Sequence, residues 1–217
     1  MQLRLIRRAL LASCVLVMLG ARAQGAQDTA LDTYLADLTT WSAAFTQDVR
    51  DANGKVVDTD RGRLTIVRPG KFRLESSLDE SGTAAALMVA DGRNLWTHDL
   101  DLDQATVRAL DESLSQSPAM LLAGSASLRA SFDVSADGRR DGLDWVKVKP
   151  KQSQSDFREA QFGFRNRELS RIVIFDKLGQ RSTLSFTGVR RNVPVDPKLT
   201  EFVLPEGVDL IGKPVGP

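Results

Sequence analysis

The chain has 217 residues, with 29 lysines and arginines against 28 aspartates and glutamates. This near-neutral balance excludes the basic footprint of a nucleic-acid-binding protein, and the length fits one domain with a sizeable core. One histidine and one cysteine are too few for a zinc or iron site, so neither a metal nor a cofactor is expected.

The N-terminus has the three parts of an export signal. Residues 4–8 carry three arginines, residues 9–19 are apolar, and the tripeptide A-R-A at residues 21–23 offers small residues at both positions that signal peptidase reads. The apolar run is far shorter than the roughly 20 residues that span a bilayer. We therefore expect residues 1–23 to be a cleaved signal peptide and residues 24–217 to form a single domain.

Removal of that segment changes the charge balance. Four arginines and Cys14 would leave with it, so 25 basic residues would face 28 acidic ones, a net charge of about −3. The remaining chain would hold no cysteine, which excludes disulfides and thiol chemistry.

A second interpretation of the same segment remains open. The tetrapeptide L-A-S-C that ends at Cys14 resembles a bacterial lipobox, which would make Cys14 a lipidated N-terminus. The apolar stretch before it is very short, and residues 15–19 after it are apolar where a lipoprotein usually has a polar tether. Both features favour the cleaved signal peptide.

The first predicted element of the domain is an amphipathic helix. Its apolar side chains recur at i, i+3, i+4 and i+7, at Leu31, Tyr34, Leu35 and Leu38. Asp28 or Thr29 can cap its start.

From Trp41 onward the pattern has a period of two, which predicts strands. One face of the first strand holds Trp41, Ala43, Phe45, Gln47 and Val49. A tight turn follows at Asn53-Gly54. One face of the return strand holds Gly62, Leu64, Ile66 and Arg68. Pro69-Gly70 ends that strand, and Phe72 and Leu74 alternate with charged residues in the next one.

Further strands are predicted downstream, at residues 87–90, 94–97, 105–110, 143–148, 157–164, 169–175 and 181–189. Turns are expected between them at Asp91-Gly92, Asp137-Gly138, Asp141-Gly142 and Leu178-Gly179. Residues 172–175 are apolar on both faces, which fits a sheet covered locally on both sides. Such closely spaced strands predict a mainly β (α+β) domain whose antiparallel sheet curls into a barrel or a sandwich.

A short helix is predicted at residues 117–124, from a serine start, a proline in the first turn and a glycine end. Met120, Leu121 and Leu122 leave this helix little polar face, so the sheet must cover it. Two interpretations stay open at this point. Either the domain has an ordinary packed core, or a curled sheet holds lipid on its concave face and the two helices form a lid.

Few residues suggest catalysis. A Ser-His-Asp hydrolase would have to use His98 and Asp99, yet no nucleophile-elbow pattern accompanies any serine. We therefore expect no enzyme, and expect His98 to be a partly exposed residue at a strand end. Residues 99–103 begin like a calcium loop but lack its glycine and glutamate, so a strand with one acidic, solvated face is favoured.

Arg68 shares a strand face with Leu64 and Ile66, so its charged guanidinium must find acceptors. Carbonyl groups at the C-terminal end of a lid helix would supply them and suit the helix dipole. Alternatively, Arg68 emerges into water at the strand end beside Pro69.

Six motifs follow one another along the chain: W-S-A-A-F-T-Q at 41–47, R-P-G-K-F-R at 68–73, D-G-R-N-L-W at 91–96, Q-A-T-V at 104–107, S-P-A-M-L-L at 117–122 and F-V-L-P-E-G-V-D at 202–209. In this order they resemble the outer-membrane lipoprotein carrier (LolA) family. The resemblance covers essentially the whole chain after the signal segment. It implies an unclosed antiparallel β-barrel, or half-barrel, with an α-helical lid over an apolar cavity.

The resemblance also implies a function and its partners. The protein would be a monomeric, non-enzymatic periplasmic chaperone that binds the acyl chains of lipoproteins. It would receive them from an inner-membrane ABC transporter and deliver them to an outer-membrane receptor lipoprotein. The alternatives are a membrane-attached receptor or sensor with the same half-barrel, or a carrier of another envelope lipid.

Site residues follow from the same resemblance. Arg68 would latch the lid through hydrogen bonds to helix carbonyls, as the matching arginine does in relatives. The cavity and lid would be lined by Leu31, Leu35, Phe45, Leu64, Ile66, Phe72, Leu74, Trp96, Met120, Leu121 and Leu122. Two positions depart from the family pattern, because Leu74 stands where relatives often carry tryptophan and His98 where they often carry tyrosine.

Overall fold

The computed structural model describes residues 28–77, 79–110, 118–124, 128–153, 155 and 157–216. The predicted signal peptide, with its alternative lipobox, and the predicted capping residue Ser117 lie outside these residues. The described helices are α1 (Ala30–Ala36), α2 (Pro118–Ala123) and α3 (Leu128–Ser131), with a 3-10 helix at Pro197–Thr200. The described strands are β1 (Thr40–Arg50), β2 (Val56–Val67), β3 (Lys71–Ser76), β4 (Ala86–Asp91), β5 (Asn94–Asp99), β6 (Gln104–Ala109), β7 (Phe132–Arg140), β8 (Leu143–Pro150), β9 (Phe157–Arg165), β10 (Glu168–Asp176), β11 (Arg181–Arg191) and β12 (Asp209–Ile211).

These strands form one twelve-stranded sheet in the order β12-β6-β5-β4-β3-β2-β1-β11-β10-β9-β8-β7. Every neighbouring pair is antiparallel except β12 and β6, which are parallel. Strands β12 and β7 end the order without pairing to each other, so the barrel is unclosed. The predicted fold class is confirmed.

The main core lies on one face of this sheet, called the inner face below. Along β1 the predicted alternation holds, because Trp41 and Phe45 are 1% and 4% exposed while Thr46 points to solvent. Leu64 of β2 and Phe162 of β9 belong to the same buried cluster although their strands lie in different halves of the sheet. The sheet therefore curls so that both halves face a common interior.

Helices α1 and α2 complete that interior. Thr29, one of the two predicted caps, begins α1 in a capping box: its hydroxyl accepts from the Asp32 amide, and the Asp32 carboxylate accepts from the Thr29 amide. Leu38 lies beyond the C-cap of α1 but is still buried in the main cluster. Among the described residues, no helix combines the length and apolar character needed to cross a membrane.

Two smaller apolar clusters lie on the other face, called the outer face below. Val89, Trp96 and Val107 form one, and the C-terminal segment covers it with Phe202. The other consists of Leu143, Trp145 and Val173, with Phe175 packed against them. Because Ile172 lies in the main cluster and Val173 in this one, β10 is apolar on both faces as predicted.

The structure corrects part of the predicted strand pattern. Asp137-Gly138 was expected to be a turn, but it lies inside β7 at a shift in the β7–β8 register, where Gly138 has a φ of +73°. The turn itself is Asp141-Gly142, with positive φ at both residues. Strands β7 and β12 have no counterpart among the predicted strands.

Gly62 sets how closely β1, β2 and β3 pack. A Cβ at this position would lie 2.1 Å from the Glu75 carbonyl oxygen and 2.5 Å from Cε1 of Phe45. We expect Gly62→Ala to lower the free energy of unfolding by about 1–3 kcal/mol, because backbone and a buried ring must both shift. Urea denaturation measures the change.

The matched control is Thr59→Ala, at an exposed position of the same strand. It should change the free energy of unfolding by less than about 0.5 kcal/mol. Equal stability of Gly62→Ala and the wild type would show that the contact with Phe45 does not constrain the sheet.

Candidate functional site

Arg68 follows the last residue of β2 and reaches both lid helices, α1 and α2. Its Nη1 donates to the Leu35 carbonyl oxygen at 2.8 Å, and its Nη2 donates to the Gly124 carbonyl oxygen at 2.8 Å. Burial lowers the pKa of Arg68, although a guanidinium stays charged at any physiological pH. Two placements were expected for Arg68, in water or against helix carbonyls, and the structure shows the second. The role of Arg68 as a latch stays a prediction.

The turn after Arg68 also holds α2. The Gly70 amide donates to the Ala123 carbonyl oxygen at 2.7 Å, and Gly70 has a φ of +74°, which favours glycine. The C-terminal end of α2 thus receives a side-chain donor from Arg68 and a backbone donor from Gly70. Sequence reasoning missed Gly70, because the Pro69-Gly70 pair predicts only that a strand ends.

Other charged contacts hold α1. Arg191 of β11 lies over the Tyr34 ring, with 4.6 Å between the guanidinium carbon and the ring centroid. It donates to the Tyr34 carbonyl oxygen at 3.0 Å and forms an ion pair with Asp37. Near the helix start, Arg129 binds both carboxylate oxygens of Asp32, at 3.2 and 2.7 Å. None of these partners was predicted from the sequence.

A hydrogen-bonded chain anchors α1 inside the core. Trp41 Nε1 donates to the Tyr34 hydroxyl at 2.8 Å, and that hydroxyl donates to the Glu168 carboxylate. Burial, and then the neighbouring Glu168, raise the pKa of Tyr34, so the phenol stays protonated and keeps donating. The ring meets Phe164 edge to face, with 5.3 Å between centroids.

The predicted cavity and lid residues, except Trp96, come together at the inner face. The buried members are Leu31, Phe45, Leu64, Ile66, Phe72, Met120, Leu121 and Leu122. Leu35 and Leu74 are partly buried and pack against them. Met120, Leu121 and Leu122 are at most 6% exposed, so this conformation is closed, with lid side chains occupying the inner face.

Trp96 lies elsewhere. It packs on the outer face and stacks on Phe202, with 4.8 Å between ring centroids, while its Nε1 donates to Asp91 at 2.8 Å. Its neighbour Leu95 takes the inner-face position instead. The predicted place of Trp96 in the cavity lining is therefore wrong, because adjacent strand residues point to opposite faces and both are buried here.

His98 and the acidic run after it also differ from expectation. His98 is only 6% exposed, lies 5.9 Å from Phe202 between ring centroids, and its Nε2 has no hydrogen-bond partner among the described residues. Residues 100–103 form a turn rather than the expected acidic strand face, and Asp99 accepts hydrogen bonds from the amides of Asp101 and Leu102. Within the described ranges, no group of three histidine, cysteine or acidic residues could hold a metal ion.

The Asp32–Arg129 contact predicts a pH effect. Burial pushes the pKa of Asp32 upward, but hydrogen bonds from Arg129 and Thr29 outweigh it, so the pKa lies below its ordinary value. Asp32 therefore stabilises the fold above the unfolded-state pKa of about 3.9, and this contribution is lost as the pH falls through the lower folded-state value. Asp32→Asn should lower the urea concentration at the midpoint of unfolding at pH 7. The difference in midpoint between this variant and the wild type should become smaller in acid.

The control is Asp133→Asn, which removes an exposed carboxylate of β7. It should leave the urea midpoint unchanged both at pH 7 and in acid. If the difference in urea midpoint between the wild type and Asp32→Asn stays constant below pH ~3.9, the Asp32 charge does not hold α1.

Comparisons with known proteins agree with this architecture. The family described as "Outer membrane lipoprotein carrier protein LolA" matches residues 36–203. An outer-membrane lipoprotein carrier protein of Dechloromonas aromatica is 32% identical over 213 residues, covering 98% of this chain and all of the relative. One of Xanthomonas oryzae is 35% identical over 211 residues, covering 96% of this chain and 98% of the relative.

Among solved structures, an uncharacterised conserved protein of Thermus thermophilus has a similar fold. Its TM-score is 0.51 at 13% identity, and the match covers 84% of this chain and 94% of that one. That likeness concerns the fold alone. The family match and the two carrier relatives show that the chain belongs to the LolA family of outer-membrane lipoprotein carrier proteins.

Proposed function

We propose that the protein is a periplasmic carrier that binds the acyl chains of lipoproteins leaving the inner membrane and delivers them to the outer membrane. An inner-membrane ABC transporter would supply the cargo, and an outer-membrane receptor lipoprotein would accept it. The observation that carries the proposal is the apolar inner face under α1 and α2, in a chain that belongs to a carrier family. The role is binding and release, without catalysis.

The need for a carrier follows from the hydrophobic effect. Each acyl CH₂ group moved into water costs about 0.8 kcal/mol, so three membrane-length chains would cost tens of kcal/mol. A lipoprotein therefore cannot cross an aqueous compartment unaided. A carrier must offer an apolar surface in place of the bilayer, and must still release its cargo.

The closed conformation suggests how the protein can release a bound lipoprotein. Met120, Leu121 and Leu122 occupy the inner face that acyl chains would use. Cargo would displace these side chains and separate Arg68 from the carbonyls of Leu35 and Gly124. Moving the lid away from the sheet costs free energy, which offsets part of the stabilisation that the bound acyl chains provide, so the net affinity stays moderate.

The proposed location has its own test. We infer that residues 1–23 direct export and are removed, so mass spectrometry of protein from the cell envelope should find a free N-terminus at Gln24. An acylated N-terminus at Cys14 would instead indicate a membrane-attached lipoprotein and would contradict the diffusible carrier.

The role of Arg68 can be tested by Arg68→Leu. Hydrogen bonds from a charged donor contribute about 1.5–3 kcal/mol each, so the loss of two should shift the equilibrium at least about tenfold toward the open form. The variant should fold, retain bound lipoprotein during purification, and transfer it to acceptor membranes at least about tenfold more slowly than the wild type. Labelled lipoprotein and sedimented membranes measure both quantities.

Arg63→Leu is the matched control, because Arg63 belongs to β2, the strand that Arg68 follows, and its side chain is 56% exposed. It should transfer cargo like the wild type. Normal transfer by Arg68→Leu would contradict the latch, and failure of the wild type to bind lipoprotein at all would contradict the carrier function.

A further inference from the structure

The outer face carries a groove of about 600 Å³ that plays no part in the proposed lipid site. It crosses strands β1, β8, β9, β10 and β11, and the bulge of β7 and the turn after it form one side. Ligand sites in proteins commonly enclose about 300–1,000 Å³. Because the groove and the lid helices lie on opposite faces of the sheet, both could be occupied at once.

The floor of the groove is apolar and firmly packed. Trp145 and Val173 are 4% and 8% exposed, and Phe175 packs beside them. Gly163 makes room for the indole, since a Cβ there would lie 3.0 Å from two carbon atoms of the Trp145 ring. The Arg140 guanidinium covers the indole at 4.6 Å from its centroid and forms an ion pair with Asp137.

Three other arginines in the groove have no carboxylate partner within the described ranges: Arg50, Arg171 and Arg181. Arg50 and Arg181 face each other directly across β1 and β11, an arrangement that destabilises a sheet when the charges are alike. The Nε of Arg171 is buried and has no hydrogen-bond partner among the described residues. Because this atom is fully buried, no ligand can reach it directly, and in the part of the chain that the structure describes the Arg171 guanidinium lacks one of the acceptors that a buried donor normally has.

The pairing register of β1, β10 and β11 determines how far apart these three arginines lie along the groove. Arg171, Val173 and Phe175 alternate on the outer face of β10, and Phe175 pairs with Arg181. Arg171 therefore lies about four residues, or about 13 Å, from the Arg50–Arg181 pair along the strand direction. Val173 lies between the two positive ends, and Phe175 lies beside Arg181 at one of them.

We propose that this groove binds a peptide segment of a partner protein whose side chains run acidic, apolar, acidic on one face. One carboxylate contacts Arg171, the other contacts Arg50 and Arg181, and the apolar side chain between them rests on Val173, next to Phe175. An extended peptide presents alternate residues on one face, so its two acidic residues stand four positions apart. The proposal does not rest on the lipid-carrier function.

A peptide fits this surface better than an anionic membrane does. Asp48 stands opposite Thr183, between the two positive ends of the groove, and Asp137 and Asp141 lie at its side. A continuous sheet of phosphates would meet these carboxylates, whereas a peptide can place its acidic groups only at the ends.

The test uses a fluorescently labelled peptide, Glu-Thr-Phe-Thr-Glu with blocked termini, and its twin with glutamine in place of glutamate. The wild type should bind the acidic peptide with salt-sensitive affinity and bind the glutamine twin at least about tenfold more weakly. The double variant Arg171→Gln/Arg181→Gln should weaken acidic-peptide binding by a similar factor. Fluorescence anisotropy measures all three.

The control variant is Arg165→Gln, which removes one exposed charge from the same face of β9 outside the groove. It should bind the acidic peptide like the wild type. Equal binding of both peptides by the wild type would overturn the proposal, and this comparison does not depend on the variants folding. Binding of phosphatidylglycerol vesicles that the double variant loses, without peptide binding, would assign the groove to a membrane and would also overturn it.

Discussion

One cation, Arg68, contacts the ends of two helices. Helices α1 and α2 have seven and six residues, too few to be stable alone. The last carbonyls of a helix have no partner within it and carry partial negative charge. Arg68 donates to the carbonyls of Leu35 in α1 and of Gly124 just after α2, so one side chain contacts the C-terminal ends of both helices.

Opening the lid of the proposed carrier would carry an apolar cost as well as a polar one. Apolar lid side chains such as Met120 and Leu122 are buried against the sheet, and exposing each to water would cost about 1.5–3 kcal/mol. In the proposed carrier, an acyl chain that takes their place would cover the same sheet surface and offset part of this cost. The polar contacts at the helix ends would also have to be replaced, by water or by cargo.

Local patterns predicted much of this molecule because strand alternation and turn residues act over a few positions. These patterns failed where residues far apart in the sequence determine the local structure or the contacts of a side chain. Leu95 and Trp96 are both buried, so alternation could not say which one faces inward. The pair Asp137-Gly138 forms a bulge because of its partner strand β8. Arg191 lies 157 residues from the Tyr34 carbonyl it binds, too far for any local pattern to show.

The central pairing of the sheet has a consequence for how the protein reaches its native state. Strand β1 pairs locally with β2 but also with β11, where Phe45 faces Phe186. Contacts between residues so far apart in the chain carry a large loop-closure cost and slow folding. Until β11 is available, β1 leaves an open edge in the middle of the sheet, so the native sheet cannot be completed until nearly all of the chain has been synthesised.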